Sequence, residues 1–232
     1  YLRMIKQSNV RLPRRTIQDQ IKAVAKKEVE KELKTIEPKK KETVDLEFEK
    51  RGELAWRKKI LQTDTDEDRM QQMLKEFFDS QERRLIQNVQ YKSKKKEKAV
   101  SFSYDVKIED TALGASIDDF YYEIVTYYGT EALKDLGLAK EFIMNDSIKK
   151  VLNEEALKVA KGINETTKNA IKDQITQGIE LGESEKDIMK RIKSVFDTAS
   201  TLRAKAIARS EVARASNYGA YQGYVQSGVV EK

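Results

Sequence analysis

"RAKAIARSEVARASNYGAYQGYVQSG" occupies Arg203–Gly228. Placed on a helix at about 100° per residue, Ala204, Ile207, Ala208, Ala215 and Tyr218 gather on one side, and Glu211 points into the middle of them. A polar stripe of Arg203, Ser210, Arg214, Asn217 and Tyr221 runs alongside. The residues nearest Glu211 are mostly small, so a second helix can approach closely there. A carboxylate in that position loses hydration unless it is paired. Arg214, three residues on, is the local partner, with Arg203 and Ser210 on the same edge. The spacing therefore predicts a helix of a packed bundle, with Glu211 as a buried, charge-paired residue that fixes register. A catalytic carboxylate is the sharper alternative, but no second acid, histidine or metal cluster stands near it in sequence.

The stretch upstream reads as a run of short-linked helices. Asp146 is expected to cap one that carries Ile148, Val151, Leu152, Ala156, Val159 and Ile163. Asn164 is expected to cap the next, with Ile171, Ile175 and Ile179 inward and Gly182 as its stop. Ser184-Glu-Lys-Asp187 resembles a capping box for a third, with Ile188, Ile192, Val195 and Phe196 at its face. A loop near Asp197–Ser200 then leads into the last helix. Connections this short imply antiparallel neighbours.

Toward the N-terminus the pattern thins. Residues 1–45 read as a charged helical arm with a narrow stripe of Ile17, Ile21, Val24, Val29, Leu33 and Ile36, ended by Pro38. Such a seam suits self-association. Residues 46–98 read as one or two amphipathic helices, carrying Met70, Met73, Leu74, Phe77, Phe78, Leu85, Ile86 and Val89, that end in the lysine-rich linker "YKSKKKEKAV". In "SFSYDVKIED" the alternation of Phe102, Tyr104, Val106 and Ile108 allows at most a short β connector near 100–108. Residues 110–145 are acidic and aromatic, with Tyr121, Tyr122, Tyr127 and Tyr128 expected in helix packing with wetted hydroxyls. The fold class expected is thus mainly α: a charged arm, then a C-terminal helical bundle over residues 99–232.

Composition removes several functions. Among 232 residues there is no Cys and no His, so disulfides, zinc sites of the usual kind and Ser-His-Asp triads are excluded. No calcium-loop spacing appears, and neither catalytic, cofactor-binding nor metal residues are expected. No apolar run approaches the roughly 20 residues of a membrane span. The chain opens with Tyr1 and no signal-like stretch, and is expected to be a fragment or a processed chain.

The run from Arg203, read with its neighbours, resembles the signature of the phage Mu F-type minor head proteins, also called phage head morphogenesis proteins. That pattern has an Arg-Ala before an Ile-Ala-Arg-[Ser/Thr]-Glu core, then an Ala, an Asn-x-Gly, an aromatic and a late Gly. Here it falls on Arg203, Ala204, Ile207, Ala208, Arg209, Ser210, Glu211, Ala215, Asn217, Gly219, Tyr224 and Gly228. The helix, "NETT", helix, Gly-x-Ser turn and helix upstream are similar to the same family, so that the resemblance covers residues 117–232 well and 66–116 loosely. The family's pattern ordinarily continues with a Trp, an Asp-x-Arg and a His-containing segment. The arm at 1–45 has no counterpart in it, as expected of part of a longer polypeptide such as a portal fusion.

What the resemblance implies is a non-enzymatic virion protein, present in few copies, that joins the portal vertex or the capsid interior during head assembly in the host cytoplasm. DNA is the alternative partner, for packaging or ejection. A net charge of +6 permits it, and residues 187–214 carry Lys190, Arg191, Lys193, Arg203, Lys205, Arg209 and Arg214 against Asp187, Asp197 and Glu211. The candidate polyanion contacts are Lys94, Lys95, Lys96, Lys98, Lys190, Arg191, Lys193 and Lys205. An enzymatic reading on the lines of a nucleotidyl- or ADP-ribosyl-transferase fails on geometry. Arg209, Ser210 and Glu211 are consecutive, point about 100° apart on a helix, and cannot line one pocket.

Overall fold

The computed structural model describes the backbone of residues 44–94 and 97–229, and the side chains of residues 52–89 and 102–229. The arm at 1–43, with its proposed self-association seam, lies outside them. The chain divides into two compact units, Tyr1–Thr65 and Asp66–Lys232. The first helix is α1 (Val44–Asn88). In the first unit, Leu54 is buried, Trp56 is exposed, and Arg57 pairs with Glu53 one turn back at 2.7 Å.

The second unit is mainly α, as the sequence predicts. After α1 come a hairpin of β1 (Gln90–Lys94) and β2 (Glu97–Ser101), then α2 (Val106–Asp135), α3 (Asp146–Glu180), α4 (Glu185–Thr198), a π turn (Ala199–Arg203) and α5 (Ala204–Ser227). The strands pair antiparallel from Gln90 opposite Ser101 to Lys94 opposite Glu97. The β segment thus lies earlier than expected. Val106 and Ile108 belong to α2, because Asp105 caps that helix by accepting from the Lys107 and Ile108 amides at 3.1 Å. The lysine-rich stretch is drawn into the hairpin's strands and is not simply a linker.

Three expectations about the later helices are corrected. α3 starts one residue earlier than expected: extended Asn145 is its cap, accepting from the Ile148 amide at 2.9 Å, while Asp146 is already helical. Asn164 does not begin a new helix. The buried positions Ile148, Leu152, Ala156, Ala160, Ile163, Thr167, Ile171 and Ile175 keep steps of three and four straight through it, so one helix of 35 residues forms. Gly182 does stop that helix, at φ +69°, and Ser184 caps α4 through the Asp187 amide.

The expected loop at Asp197–Ser200 is instead the π turn. Its cause is the spacing of buried residues: Ile188, Ile192, Phe196, Ser200, Ala204, Ala208 and Val212 recur every fourth position. Each step of four drifts about 40° round an α-helix, so six steps would carry the stripe about 240° away from its neighbours. One wider turn takes back part of that drift. α4 and α5 therefore form a single bent helical path, not an antiparallel pair.

Side-chain pairs fix the topology. Arg84–Glu109 and Arg69–Glu123 make α1 and α2 antiparallel. Asp110–Asn164 and Asp118–Asn153 do so for α2 and α3. Arg191–Gln174 sets α4 against α3, and Arg203–Ile163 with Arg214–Glu155 sets α5 against it. The result is an up-down-up-down four-helix bundle around Met70, Leu74, Phe78, Leu113, Ile117, Val125, Leu152, Ile171, Ile192 and Phe196.

Candidate functional site

α5 presents its apolar side to α2, and glycine decides how near the two come. A Cβ on Gly219 would lie 2.7 Å from Val125 O, and one on Gly223 would lie 2.5 Å from Gly129 O. Both are closer than side-chain carbons tolerate, so backbone packs on backbone there. Gly129 is in turn covered by the Phe142 ring from the α2–α3 connection. The same end is tied by Gln226, whose amide accepts from Ile143 N at 2.9 Å and donates to Ile143 O at 2.8 Å. Lys140 Nζ adds a bond to Gln226 O at 2.8 Å.

Glu211 is buried, at 7% exposure, on this packed side. Its Oε2 lies 3.0 Å from Arg214 Nη1 and accepts a short hydrogen bond from the Tyr121 hydroxyl of α2. Burial, and then the neighbouring Glu211 carboxylate, push the Tyr121 phenol well above its ordinary value. Arg214 is half exposed and also stands 3.8 Å from Glu155 of α3. The carboxylate thus ties α5 to α2 and, through Arg214, reaches α3.

Arg203 belongs to a different centre. Its guanidinium donates to Thr167 Oγ1 at 2.8 Å and to Ile163 O at 2.7 Å, and lies over the Phe78 ring. Desolvation lowers its pKa. Below it is a polar layer across the bundle. Gln81 Nε2 reaches Tyr104 OH at 2.9 Å, Glu109 Oε2 at 3.1 Å and Asn164 Oδ1 at 2.9 Å. Asn164 Nδ2 donates to Asp110 Oδ1 at 2.8 Å. Arg84 closes the edge with a two-pronged contact to Glu109, at 2.8 and 2.6 Å. Burial raises the Tyr104 phenol, with Glu109 adding to it.

The residues read together in the sequence are therefore distributed. Glu211 and Arg214 meet. Arg203, about two turns earlier at the end of the π turn, is bonded instead to Thr167 and Ile163 of α3. Arg209 is exposed and 3.8 Å from Glu67, Ser210 turns its hydroxyl back to Ala206 O at 3.1 Å, and Asn217 faces solvent. Gly219 is the contact with α2. Among the polyanion candidates, Arg191 is committed to Glu183 by two bonds of 2.6 Å and Lys190 to Asp187 at 2.8 Å. Lys193 and Lys205 are exposed. The side chains of Lys94 and Lys98, and all of Lys95 and Lys96, lie outside the described residues.

Tyr121, Gln81, Asn164 and Gly223 were not anticipated as partners. The Gly219-x-x-x-Gly223 spacing carried a readable signal; the others come from elements distant in sequence. Among the described residues no group of three or more acidic side chains is placed to hold a metal ion, and no helix is long and apolar enough to cross a membrane.

A family model described as Phage Mu protein F like protein matches residues 169–232. These are the last third of α3, α4, the π turn and α5, so the resemblance carried by the Arg203–Gly228 signature is shown over that stretch. No curated protein and no solved structure matches the chain.

Proposed function

We propose that the chain is a non-enzymatic minor head protein of a tailed phage, acting in head morphogenesis at the portal vertex. The match to the Mu F-like family over residues 169–232 suggests a phage head morphogenesis protein and a structural role in the virion. The observation that carries the reading further is where the signature residues go. Ala204, Ala208, Glu211, Ala215 and Gly219 are spent on helix packing. Glu211 Oε2 is held by Tyr121 and Arg214. A carboxylate placed in this way supports a scaffold role. The partner would be the portal protein or the capsid interior, met during assembly in the host cytoplasm.

The test is co-expression with the portal protein of the same phage, followed by sedimentation at low and moderate salt. Comigration that resists salt is expected for docking of a folded bundle through apolar contact. Absence of comigration at every salt concentration overturns the assignment.

A second reading, DNA binding during packaging or ejection, is favoured by Lys205 and Arg209, exposed one turn apart on α5. Phosphate-driven affinity must fall steeply with salt. Lys205→Ala/Arg209→Ala is expected to reduce the slope of log affinity against log salt, and flat, negligible binding from low to moderate salt removes this reading.

A further inference from the structure

Taking the chain as a structural protein that docks on a larger assembly, we propose that Arg203 is the receptor for a carboxylate of its protein partner. An Asp or Glu side chain of that partner enters between α3 and the start of α5 and meets the guanidinium there.

Arginines in this fold are matched to acids. Arg57, Arg69, Arg84, Arg191, Arg209 and Arg214 each stand against a glutamate. Arg83, which bonds Ser80 Oγ instead, is exposed, and water serves its charge. Arg203 is different because it is drawn inward. It is half-buried, and among the described residues no carboxylate is in ion-pair contact with it. Its two acceptors, Thr167 Oγ1 and Ile163 O, are neutral. Tyr104 is the one titratable group among the described residues whose charge acts on it. A cation withdrawn from water without a counter-charge is costly. The same loss of water strengthens its attraction for any anion that reaches it.

The guanidinium is also held ready. Nη1 donates to Thr167 Oγ1 and Nη2 to Ile163 O, and Cζ lies 5.9 Å from the centre of the Phe78 ring. A guanidinium carries five N–H groups, so three, that of Nε included, have no partner among the described residues. The Nε edge can therefore grip a carboxylate by two parallel bonds. A fork fixed in this way loses little freedom on binding. Its present partners do not depend on it, since Thr167 Oγ1 itself donates to Ile163 O at 2.9 Å. The surroundings are open and uncharged. Leu202, next in the chain, is 75% exposed, Ala206 and Thr166 are exposed, and a Cβ on Gly162 would meet nothing within 4 Å. A nucleic-acid backbone is held by several cations together. A lone guanidinium beside an exposed leucine fits instead an acidic side chain with an apolar neighbour.

Titration of the unmodified chain with sodium acetate, against sodium chloride at equal ionic strength, tests the site itself through the Nε–H resonances of the arginines. The Arg203 signal is expected to shift and saturate, with half of the effect at or below about 100 mM acetate. That of Arg57, already paired with Glu53, is expected to move no more than in chloride. No saturable shift at Arg203, or an equal one at Arg57, overturns the proposal. A DNA duplex that shifts Arg203 where acetate does not assigns the site to phosphate and overturns it too. Arg203→Met, similar in length and uncharged, is expected to melt within about 3 °C of the wild type and to weaken comigration with the portal protein at least about tenfold. Arg203→Lys keeps the charge without the fork and is expected to restore comigration in part. A far larger fall in Tm for Arg203→Met overturns the proposal, because Arg203 is then spent on holding α5 to α3. Wild-type comigration that Arg203→Met leaves intact also overturns it, while the docking reading stands. Where the wild type itself does not comigrate, the docking reading falls and the acetate titration alone decides the role of Arg203.

Discussion

Replacing Gly219 with alanine asks directly whether α2 and α5 are in backbone contact. The added methyl would lie 2.7 Å from Val125 O and 2.9 Å from Val125 Cα. Neither atom is the end of a flexible side chain, so the two helices must separate by several tenths of an ångström along a seam that also holds Gly223. Overpacking of this kind costs about 1–3 kcal/mol, and contact with backbone places it near the upper figure. Alanine returns about 1 kcal/mol of helix propensity. The net destabilisation is about 2 kcal/mol, a fall in Tm of about 4–8 °C for a domain of this size. Gly162→Ala is the matched control, because that position is mid-helix in α3 and a Cβ there meets nothing within 4 Å. It is expected to stabilise by about 1 kcal/mol, raising Tm by about 2–4 °C. Thermal and urea unfolding followed by circular dichroism give both numbers. If Gly219→Ala melts at or above the wild type, together with Gly162→Ala, the close approach of α2 and α5 is wrong.

Three further outcomes follow from the buried polar groups. Glu211→Leu leaves the Tyr121 hydroxyl without its acceptor while half-exposed Arg214 turns to Glu155, for a loss of about 2 kcal/mol; Glu211→Gln keeps an acceptor and costs less than about 1 kcal/mol. Coincident urea midpoints for the two variants would place Glu211 in solvent. Asn164→Asp sets a carboxylate 2.8 Å from Asp110 and should destabilise by about 3 kcal/mol at pH 7. The introduced carboxylate binds its proton more tightly folded than unfolded, so the deficit must narrow from pH 7 to pH 5; a constant deficit would refute the contact. Tyr104 and Tyr121 both have raised pKa values in the folded state. The stability they confer is complete below about pH 10 and is lost as pH rises above it, by up to about 1.4 kcal/mol per pH unit each. Tyr121→Phe should flatten that alkaline fall, as read from urea midpoints between pH 9 and 11.

Helices were legible wherever the cause lay within a few residues. Gly182 ended α3 and Ser184 capped α4 because turn and cap chemistry are local properties of the chain. The apolar face of Arg203–Gly228 could be drawn on a wheel, and it placed Glu211 inward before any neighbour was known. Asn164 misled for the same local reason. An Asn followed by Glu-Thr-Thr has the chemistry of a cap, and only Gln81 and Asp110, more than 50 residues away, make it a buried crosslink. The stripe from Ile148 to Ile175 that runs through it was the stronger signal, since a helix start would have interrupted the spacing.

The same contrast explains the π turn. Judged singly, Asp197, Thr198 and Ser200 look like loop residues. Judged as part of a series of buried positions spaced by four, they are where a helix must widen to keep one face on its neighbours. Long-range partners such as Tyr121 had no sequence signal at all, being 90 residues from Glu211. Yet the smallness of the residues around Glu211 announced that something would come close. What came was α2, with its glycine and tyrosine, and the packed side of the signature is the joint between α2 and α5.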